Sequence, residues 1–375
     1  MDAIILAGGL GTRLRSVVSE VPKCMAPVGE RPFLEILLDQ LAAFGETDRV
    51  VLSVGYLREV IFKWIDTNRA RWPFRIEYAV EQTPLGTGGG IRLALGQCTE
   101  NEVLILNGDT YFDINPEAMH CEAPVCVALK PMRDFNRYGK VECGLDGRIS
   151  AFREKCPCAE GLINGGAYLV RRDLLDLDGL PEKFSFENDV LTPLASAGKL
   201  QGSVQEGYFI DIGIPEDYAL AQLKWSGCDT LLLDRDGVIN VLRPGDYVKN
   251  TDEFVFEKKF LAHAAQWAET FRHIFVVTNQ RGVGKGLMSE DALEEIHGMM
   301  IRGTEAAGGR IDGIYCCTAT DDADPRRKPN TGMWDEICRD WSDVRADKTI
   351  MAGDSGSDME FASRAGIKAV KINWQ

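Results

Sequence analysis

The chain has 375 residues, 45% of them hydrophobic and 26% charged, the balance of a folded globular protein of two or three domains. Its formal net charge of −15 excludes a broad nucleic-acid or anionic-membrane surface, while leaving room for local basic pockets that take phosphates. No stretch approaches the ~20 apolar residues of a membrane span, and the apolar run 3–7 is too short, and lacks the basic lead, of an export signal.

Ala3–Leu6 is an apolar run fit for a buried parallel strand, and it ends in Ala7-Gly-Gly-Leu-Gly-Thr-Arg13. A glycine-rich turn after a strand leaves backbone N–H groups free to face an anion and lets the main chain approach phosphates closely. Arg13 and Lys23 add the positive charge that a triphosphate needs. Strand and helix patterns then alternate. A helical segment at 32–44 precedes a strand at 50–54, and a helix near 91–96 precedes a strand at 102–107. Further strands are expected at 125–129, 167–170 and 200–204, followed by a helix at 215–225. Ser226-Gly-Cys-Asp229 makes a short polar join. The alternation restarts with strands at 230–233, 273–277, 313–315, 349–352 and 369–372. Such alternation implies mostly parallel sheets covered on both faces. The expected fold class is α/β: two Rossmann-like three-layer domains, residues 1–225 and 226–375.

The first motif, Leu6-Ala-Gly-Gly-Leu-Gly-Thr-Arg-Leu14 with Pro22-Lys23, resembles the signature of the sugar-1-phosphate nucleotidyltransferases, a GT-A-like fold, and the resemblance spans residues 1–225. It implies that Leu6, Ala7, Gly8, Gly9, Gly11, Thr12 and Arg13 cradle a nucleoside triphosphate, with Arg13 and Lys23 catalytic at its phosphates. Pro84-Leu-Gly-Thr-Gly-Gly-Gly-Ile91 is a second glycine-rich turn, which in the resembling enzymes closes over base and ribose through Gly86 and Thr87. Asp109 and Asp211, each at a strand end, are the implied Mg²⁺ ligands. Tyr138, Gly139, Glu154, Lys155, Asn164 and Gly165 fall on the implied sugar-phosphate side. Strings such as Arg15-Ser-Val-Val18, Pro32-Phe-Leu-Glu35 and Asn136-Arg-Tyr-Gly139 look like the branch that joins D-glycero-D-manno-heptose 1-phosphate to GTP. N-acetylmuramate 1-phosphate uridylyltransferases share some of the glycines, and the residues themselves do not choose the base.

Leu231-Leu-Leu-Asp-Arg-Asp-Gly-Val-Ile-Asn240 opens a second signature, which resembles the haloacid-dehalogenase (HAD) phosphatases. A carboxylate that attacks a phosphomonoester needs charge screening and an acid for the leaving oxygen. The resemblance gives these roles to Asp234 as nucleophile and Asp236 as acid and base. Thr278, Asn279 and Gln280 would bind phosphoryl oxygens, Lys328 would supply a catalytic cation, and Arg327 would help grip the sugar. Asp234, Asp236 and Asp354 would hold Mg²⁺, with Asp358 in support. The spacing leaves no room for a large cap domain. The motifs look like the branch of histidinol-phosphatase and heptose 1,7-bisphosphate 7-phosphatase.

That branch commonly carries a zinc loop, C-x-H…C-x-C, before Arg-Lys-Pro. Here the stretch reads Cys316-Cys-Thr-Ala-Thr-Asp-Asp-Ala-Asp-Pro-Arg326, in which one ligand position, Cys317, survives. Four strong ligands are needed, so no structural zinc is expected. The eleven cysteines and four histidines are scattered, which favours a reduced cytoplasm over a disulfide frame or a histidine metal cage.

The resemblances together imply a bifunctional enzyme of GDP-heptose synthesis, in the service of lipopolysaccharide, capsule or S-layer glycans. It would remove the 7-phosphate of heptose 1,7-bisphosphate and transfer GMP from GTP to heptose 1-phosphate. Its expected partners are GTP and heptose phosphates, with Mg²⁺ in both domains, no nucleic acid and no membrane; a homo-oligomer is left open. The alternative is another NDP-sugar pyrophosphorylase, such as a uridylyltransferase, fused to a different sugar- or histidinol-phosphate phosphatase. A decayed sugar-nucleotide-binding regulator is the rival of another class, and it would have lost aspartates that are present here.

Overall fold

In a computed structural model, which describes residues 1–9, 14, 20–120 and 122–374, the chain forms two compact units, Met1–Asp217 and Tyr218–Gln375. Gly11, Thr12 and Arg13 of the first motif, and the string 15–18, lie outside the described residues.

The first unit runs β1 (Asp2–Leu6), α1 (Phe33–Phe44), β2 (Arg49–Val54), α2 (Arg58–Asn68), β3 (Arg75–Val80), α3 (Gly86–Leu95), β4 (Glu102–Asn107) and β5 (Thr110–Phe112). It continues with β6 (Val125–Phe135), β7 (Gly139–Cys143), β8 (Ile149–Lys155), β9 (Cys158–Arg171), β10 (Leu200–Val204), β11 (Phe209–Asp211) and α4 (Pro215–Lys224), a helix that lies across the divide. β1 is buried along almost its whole length and pairs in parallel with β2 and β4. Its C-terminal end is therefore a switch point, where a ligand meets the strand ends of an open α/β sheet.

The sheet has the order β8-β7-β9-β4-β1-β2-β3, with β6 beside β9 and β10 beside β6. It is mixed, which corrects the expectation of a mostly parallel sheet. β9 runs antiparallel to β4, β6 and β7. The reason is legible in burial. Only the inner ends of the long strands β6 and β9 are wholly buried, while residues 130–134 and 158–162 are half-buried or exposed. Their polar halves look like loop in sequence, and they hid the antiparallel ladder. The sequence reading also passed over α2 and β3.

The second glycine-rich stretch is not a loop ahead of a helix: α3 starts at Gly86 and includes all four glycines of 86–90. Glycine is a poor helix former, and close packing explains its use. A Cβ on Gly88 would lie 2.2 Å from the Phe184 ring, and one on Gly89 would lie 2.6 Å from the Glu182 carbonyl. The bare helix face lets residues 182–186 dock, and the Phe186 N–H donates to Thr87 Oγ1 over 3.0 Å.

The second unit holds β12 (Thr230–Leu233), α5 (Lys258–Thr270), β13 (His273–Asn279), α6 (Arg281–Gly284), α7 (Glu290–Ala306), β14 (Gly313–Cys317), α8 (Gly332–Asp340), β15 (Thr349–Gly353), α9 (Gly356–Ala365) and β16 (Lys368–Lys371). Its sheet is β14-β13-β12-β15-β16 and every pairing is parallel. The apolar runs 231–233 and 274–277 of the inner strands match this, since a parallel sheet is covered on both faces. Among the described residues no separate cap domain is inserted between Asp234 and Thr278, or between Gln280 and Lys328. No helix among the described residues is long and apolar enough to cross a membrane.

Gly108 tests how tightly the first unit is closed around its strand ends. A Cβ there would lie 2.3 Å from the Leu6 carbonyl oxygen, which is backbone and cannot turn aside. Gly108→Ala is expected to destabilise the first unit by about 1–3 kcal/mol, the usual cost of overpacking. Urea unfolding checks this, and an unchanged midpoint would show that the contact relaxes freely.

Candidate active sites

In the first unit two aspartates meet through a short antiparallel pair. β11 pairs with β5 so that Asp211 lies opposite Thr110, and the Ile212 N–H donates to the Asp109 carbonyl over 2.9 Å. Lys23 Nζ donates to Asp109 Oδ2 and lies 3.6 Å from Asp211 Oδ1. The Gly213 N–H donates to Asp211 Oδ1 over 2.8 Å. Burial, followed by the neighbouring Asp109 charge, pushes the Asp211 carboxyl above its ordinary range, with Lys23 opposing. The Lys23 ammonium offsets the repulsion between the two carboxylates that meet on it.

The loop after β1 begins beside this pair. The Ala7 N–H donates to the Ser53 carbonyl over 2.8 Å, which fixes the start of the turn. A Cβ on Gly8 would lie 2.7 Å from Glu81 Oε1, whereas one on Gly9 would meet none of the described residues within 4 Å. Gly8 is therefore needed for packing. Gly9 shows no such packing constraint among the described residues. Glu81 was missed in sequence. It stands just beyond β3 and accepts from Ser53 Oγ at 3.1 Å and from the Leu85 N–H at 3.0 Å, one bond to each oxygen. Each oxygen keeps capacity for another donor.

The residues expected on the sugar side lie on or beside β7, β8 and β9. Asn164-Gly-Gly166 sits where the pairing of β9 with β6 breaks register, with Gly166 at φ 71°. Asn164 donates to the Tyr168 hydroxyl over 3.0 Å and accepts from the Gly166 N–H over 3.0 Å. Gly165 packs so closely on Phe112 that a Cβ would lie 2.4 Å from its ring. Tyr138 packs edge-on against Phe209 and takes a 2.9 Å hydrogen bond from Arg137, which also pairs with Asp217. A Cβ on Gly139 would lie 2.4 Å from the Arg153 carbonyl. Glu154 and Lys155 are exposed at the end of β8.

The second unit carries a denser constellation. Asp234 follows β12 and Asp354 follows β15, neighbours in the sheet. Asp234, Asp354 and Asp358 each offer an oxygen, all within 4.8 Å of one another. Lys328 Nζ lies 2.9 Å from Asp234 Oδ1, 2.6 Å from Asp358 Oδ1 and 2.7 Å from the Val277 carbonyl. Its side chain is 2% exposed. Burial alone would drive the ammonium to lose its proton, but the two carboxylates outweigh it and raise its pKa. Burial pushes Asp234 the other way, toward the neutral acid, against the pull of Lys328. Asp358 is fully committed. Its Oδ1 takes the lysine and its Oδ2 takes the Ser355 N–H and hydroxyl at 3.0 and 2.6 Å. Among the described residues, Asp354 makes no ion pair with a side chain, and burial raises its pKa. Asp234 and Asp354 thus keep free oxygens at one point, which fits a hard cation, while Asp358 orients the lysine.

Asp236 does not join this group. Its carboxylate takes Arg235 Nη2 at 3.1 and 3.0 Å, Asn240 Nδ2 at 3.0 Å and Gln280 Nε2 at 2.7 Å. Burial works against the charge, but these donors, Arg235 foremost, hold the carboxyl below its usual range. Arg235 is 0% exposed and was not singled out in sequence; its position between two motif aspartates was the available signal. Thr278 Oγ1 accepts from Gln280, and Asn279 clamps the Lys328 backbone with two 3.0 Å bonds, to its carbonyl and from its N–H. Arg327 Nε reaches Asp322 at 2.9 Å. In the loop that lacks the zinc pattern, Asp324 accepts from the Arg326 N–H at 2.8 Å, and Asn330 Nδ2 donates to the Asp322 and Asp324 carbonyls at 3.2 and 2.8 Å.

Comparison with known proteins agrees with this division. The nucleotidyl transferase family matches residues 2–226, and the polynucleotide kinase 3 phosphatase family matches residues 232–369. D-glycero-alpha-D-manno-heptose 1-phosphate guanylyltransferase of Aneurinibacillus thermoaerophilus is 47% identical over 227 residues, 59% of this chain and 97% of that protein. The Campylobacter jejuni protein of the same name is 43% identical over 219 residues, 58% of this chain and 97% of its own. The crystal structure of HddC from Yersinia pseudotuberculosis complexed with GMP-PN superposes with a TM-score of 0.54 at 33% identity, over 60% of this chain and 99% of that one. Through residues 2–226 the chain belongs to the nucleotidyl transferase family, as a sugar-1-phosphate nucleotidyltransferase domain followed by a HAD-like phosphatase domain.

Proposed function

We propose that the first unit transfers GMP from GTP to D-glycero-D-manno-heptose 1-phosphate, and that the second supplies this acceptor by removing the 7-phosphate of heptose 1,7-bisphosphate. The observation that carries the reading is the conjunction of two things. One is the 47% identity to a heptose 1-phosphate guanylyltransferase over 97% of that protein's length. The other is a phosphatase-type site on the same chain, Lys328 set between Asp234 and Asp358 with Asp354 alongside. The product of one reaction is then the substrate of the other. We place the join between the units at 225/226, just short of the end of the first family match.

In the transferase, an oxygen of the sugar phosphate attacks the α-phosphorus of GTP and the bond to the β-phosphate oxygen breaks, releasing pyrophosphate. Lys23 would balance charge on the departing phosphates, and Asp109 and Asp211 would hold Mg²⁺, which draws the phosphates together and neutralises them. Glu81 supports guanine. The guanine edge presents two adjacent N–H donors, which suit a carboxylate, whereas uracil presents an acceptor on each side of its single donor. In the phosphatase, an oxygen of Asp234 attacks phosphorus and the bond to the sugar oxygen breaks. Asp236 would protonate that oxygen, after turning out of its cradle of Arg235, Asn240 and Gln280 and gaining a proton. It would then take a proton from the water that cleaves the aspartyl phosphate. Lys328 holds Asp234 in line throughout, and Asp234 and Asp354 would hold the Mg²⁺ that screens the two approaching anions.

Asp234→Asn is expected to lower phosphate release by roughly 10⁴-fold, while pyrophosphate release from GTP and heptose 1-phosphate stays near normal. Lys23→Ala should do the reverse, lowering transfer by about a hundredfold or more. Separate phosphate and pyrophosphate assays check both, and a joint loss in folded protein would contradict two independent sites.

Gly9→Ala separates a ligand role from a packing role. Stability should change by no more than about 0.5 kcal/mol, because no atom of the described residues lies within 4 Å of the added Cβ, while the KM for GTP rises. Glu81→Gln should raise the KM for GTP by roughly tenfold without raising that for UTP. Equal effects on the two nucleotides would remove Glu81 from base selection.

A further inference from the structure

Cys156-Pro-Cys158 carries β8 into β9 and lies outside both sets of catalytic groups. Its two sulfurs are 3.6 Å apart. Cys156 is exposed and Cys158 is half-buried. Pro157 between them has a fixed φ, so the turn has little freedom to separate the pair. A disulfide holds its sulfurs at about 2.05 Å, so a movement of about 1.5 Å closes the bond. Buried thiols elsewhere are poor rivals. Burial pushes Cys24 and Cys98 up to about 12 and Cys316 up to about 11, which leaves little thiolate for exchange. The two ends of the turn are not held alike. Cys158 opens β9, where it pairs with Phe135 of β6, and the nearby Glu160 carbonyl accepts from Lys140 Nζ at 3.5 Å. Cys156 belongs to neither strand. Before it, Lys155 pairs with Gly139 of β7 across a break in register that follows Phe152. A pull on Cys156 is therefore taken up by Glu154 and Lys155 at the irregular end of β8, while β9 stays in place. Glu154, Lys155 and Gly139 are residues expected against the sugar phosphate.

We propose that Cys156 and Cys158 form a reversible thiol–disulfide couple whose closure displaces Lys155 and weakens binding of the sugar phosphate to the first unit. The control of binding rests on the transferase reading, whereas the thiol chemistry does not. The oxidant is a small-molecule disulfide such as oxidised glutathione. The exposed Cys156 thiolate attacks one of its sulfurs, a mixed disulfide forms, and one glutathione thiolate leaves. The Cys158 thiolate then attacks the Cys156 sulfur and expels the second. Two cysteine thiols are oxidised, one glutathione disulfide is reduced to two thiols, and the two cysteine protons pass to the leaving thiolates. An exposed bridge closed over a single residue is of the labile kind that other thiols reopen.

The test equilibrates the full chain with mixtures of oxidised and reduced glutathione, reads the thiols by peptide mass, and follows pyrophosphate release from GTP and heptose 1-phosphate. The peptide that holds residues 156–158 should lose two hydrogens, and dithiothreitol should restore them. In the oxidised chain the KM for heptose 1-phosphate should rise about threefold or more, because a displaced lysine no longer meets the phosphate, while the KM for GTP stays within about twofold. Phosphate release by the second unit should not respond. Cys156→Ser and Cys158→Ser should each transfer as the reduced chain does and lose the response to oxidant. The proposal is overturned if the peptide stays reduced or stops at a glutathione adduct. It is equally overturned if the bridge forms while the KM for heptose 1-phosphate holds, or if the serine variants respond as the unaltered chain does. If the reduced chain releases no pyrophosphate, the transferase reading falls and the control of binding with it, while the peptide mass still decides the thiol chemistry.

Discussion

In each half of this protein one lysine ammonium stands between two aspartates. Lys23 joins Asp109 and Asp211, and Lys328 joins Asp234 and Asp358. Carboxylates do not converge in a low-dielectric setting unless a cation offsets their repulsion. The lysine lets each acidic pair assemble within the fold itself, and in the second unit Asp234 and Asp354 each keep an oxygen at one point. The two lysines differ in depth. Lys328 is buried almost completely, while Lys23 is partly open. Removal of Lys328 would leave buried charge uncompensated, so its side chain supports the fold as well as the chemistry.

The surroundings of both sites follow from this requirement. Parallel strands end together, and the residue after each strand can face its neighbour across the switch point. β12 and β15 bring Asp234 and Asp354 side by side in this way. In the first unit Gly108 lets β4 end against the Leu6 carbonyl, which fixes the Asp109 that follows it. Glycine also clears space in the second unit, where Gly237, at φ 83°, would place a Cβ 2.3 Å from Asp354 Oδ2.

Much of this was legible in sequence because the signals are local. An apolar strand followed by a glycine turn or an aspartate marks both β1 and β12, and Asp234, Asp354, Asp358 and Lys328 converge in space as their motifs imply. Signals that depend on tertiary pairing were not legible. The polar halves of β6 and β9 carry no apolar alternation, so the antiparallel part of the first sheet was invisible. The glycines of α3 read as a loop, since their use is set by Phe184, almost a hundred residues away. Glu81 and Arg235 gave no pattern of their own. Each matters through what it faces: Gly8 of the turn after β1 in one case, the Asp236 carboxylate in the other.

The central claim is that the two sites act in sequence on one sugar. The most direct measurement is phosphorus NMR of the unaltered chain with heptose 1,7-bisphosphate, GTP and Mg²⁺. The account predicts that inorganic phosphate, pyrophosphate and GDP-heptose accumulate in equal amounts, with heptose 1-phosphate as the intermediate. Pyrophosphate formed without release of phosphate, or phosphate release followed by no consumption of GTP, would contradict it.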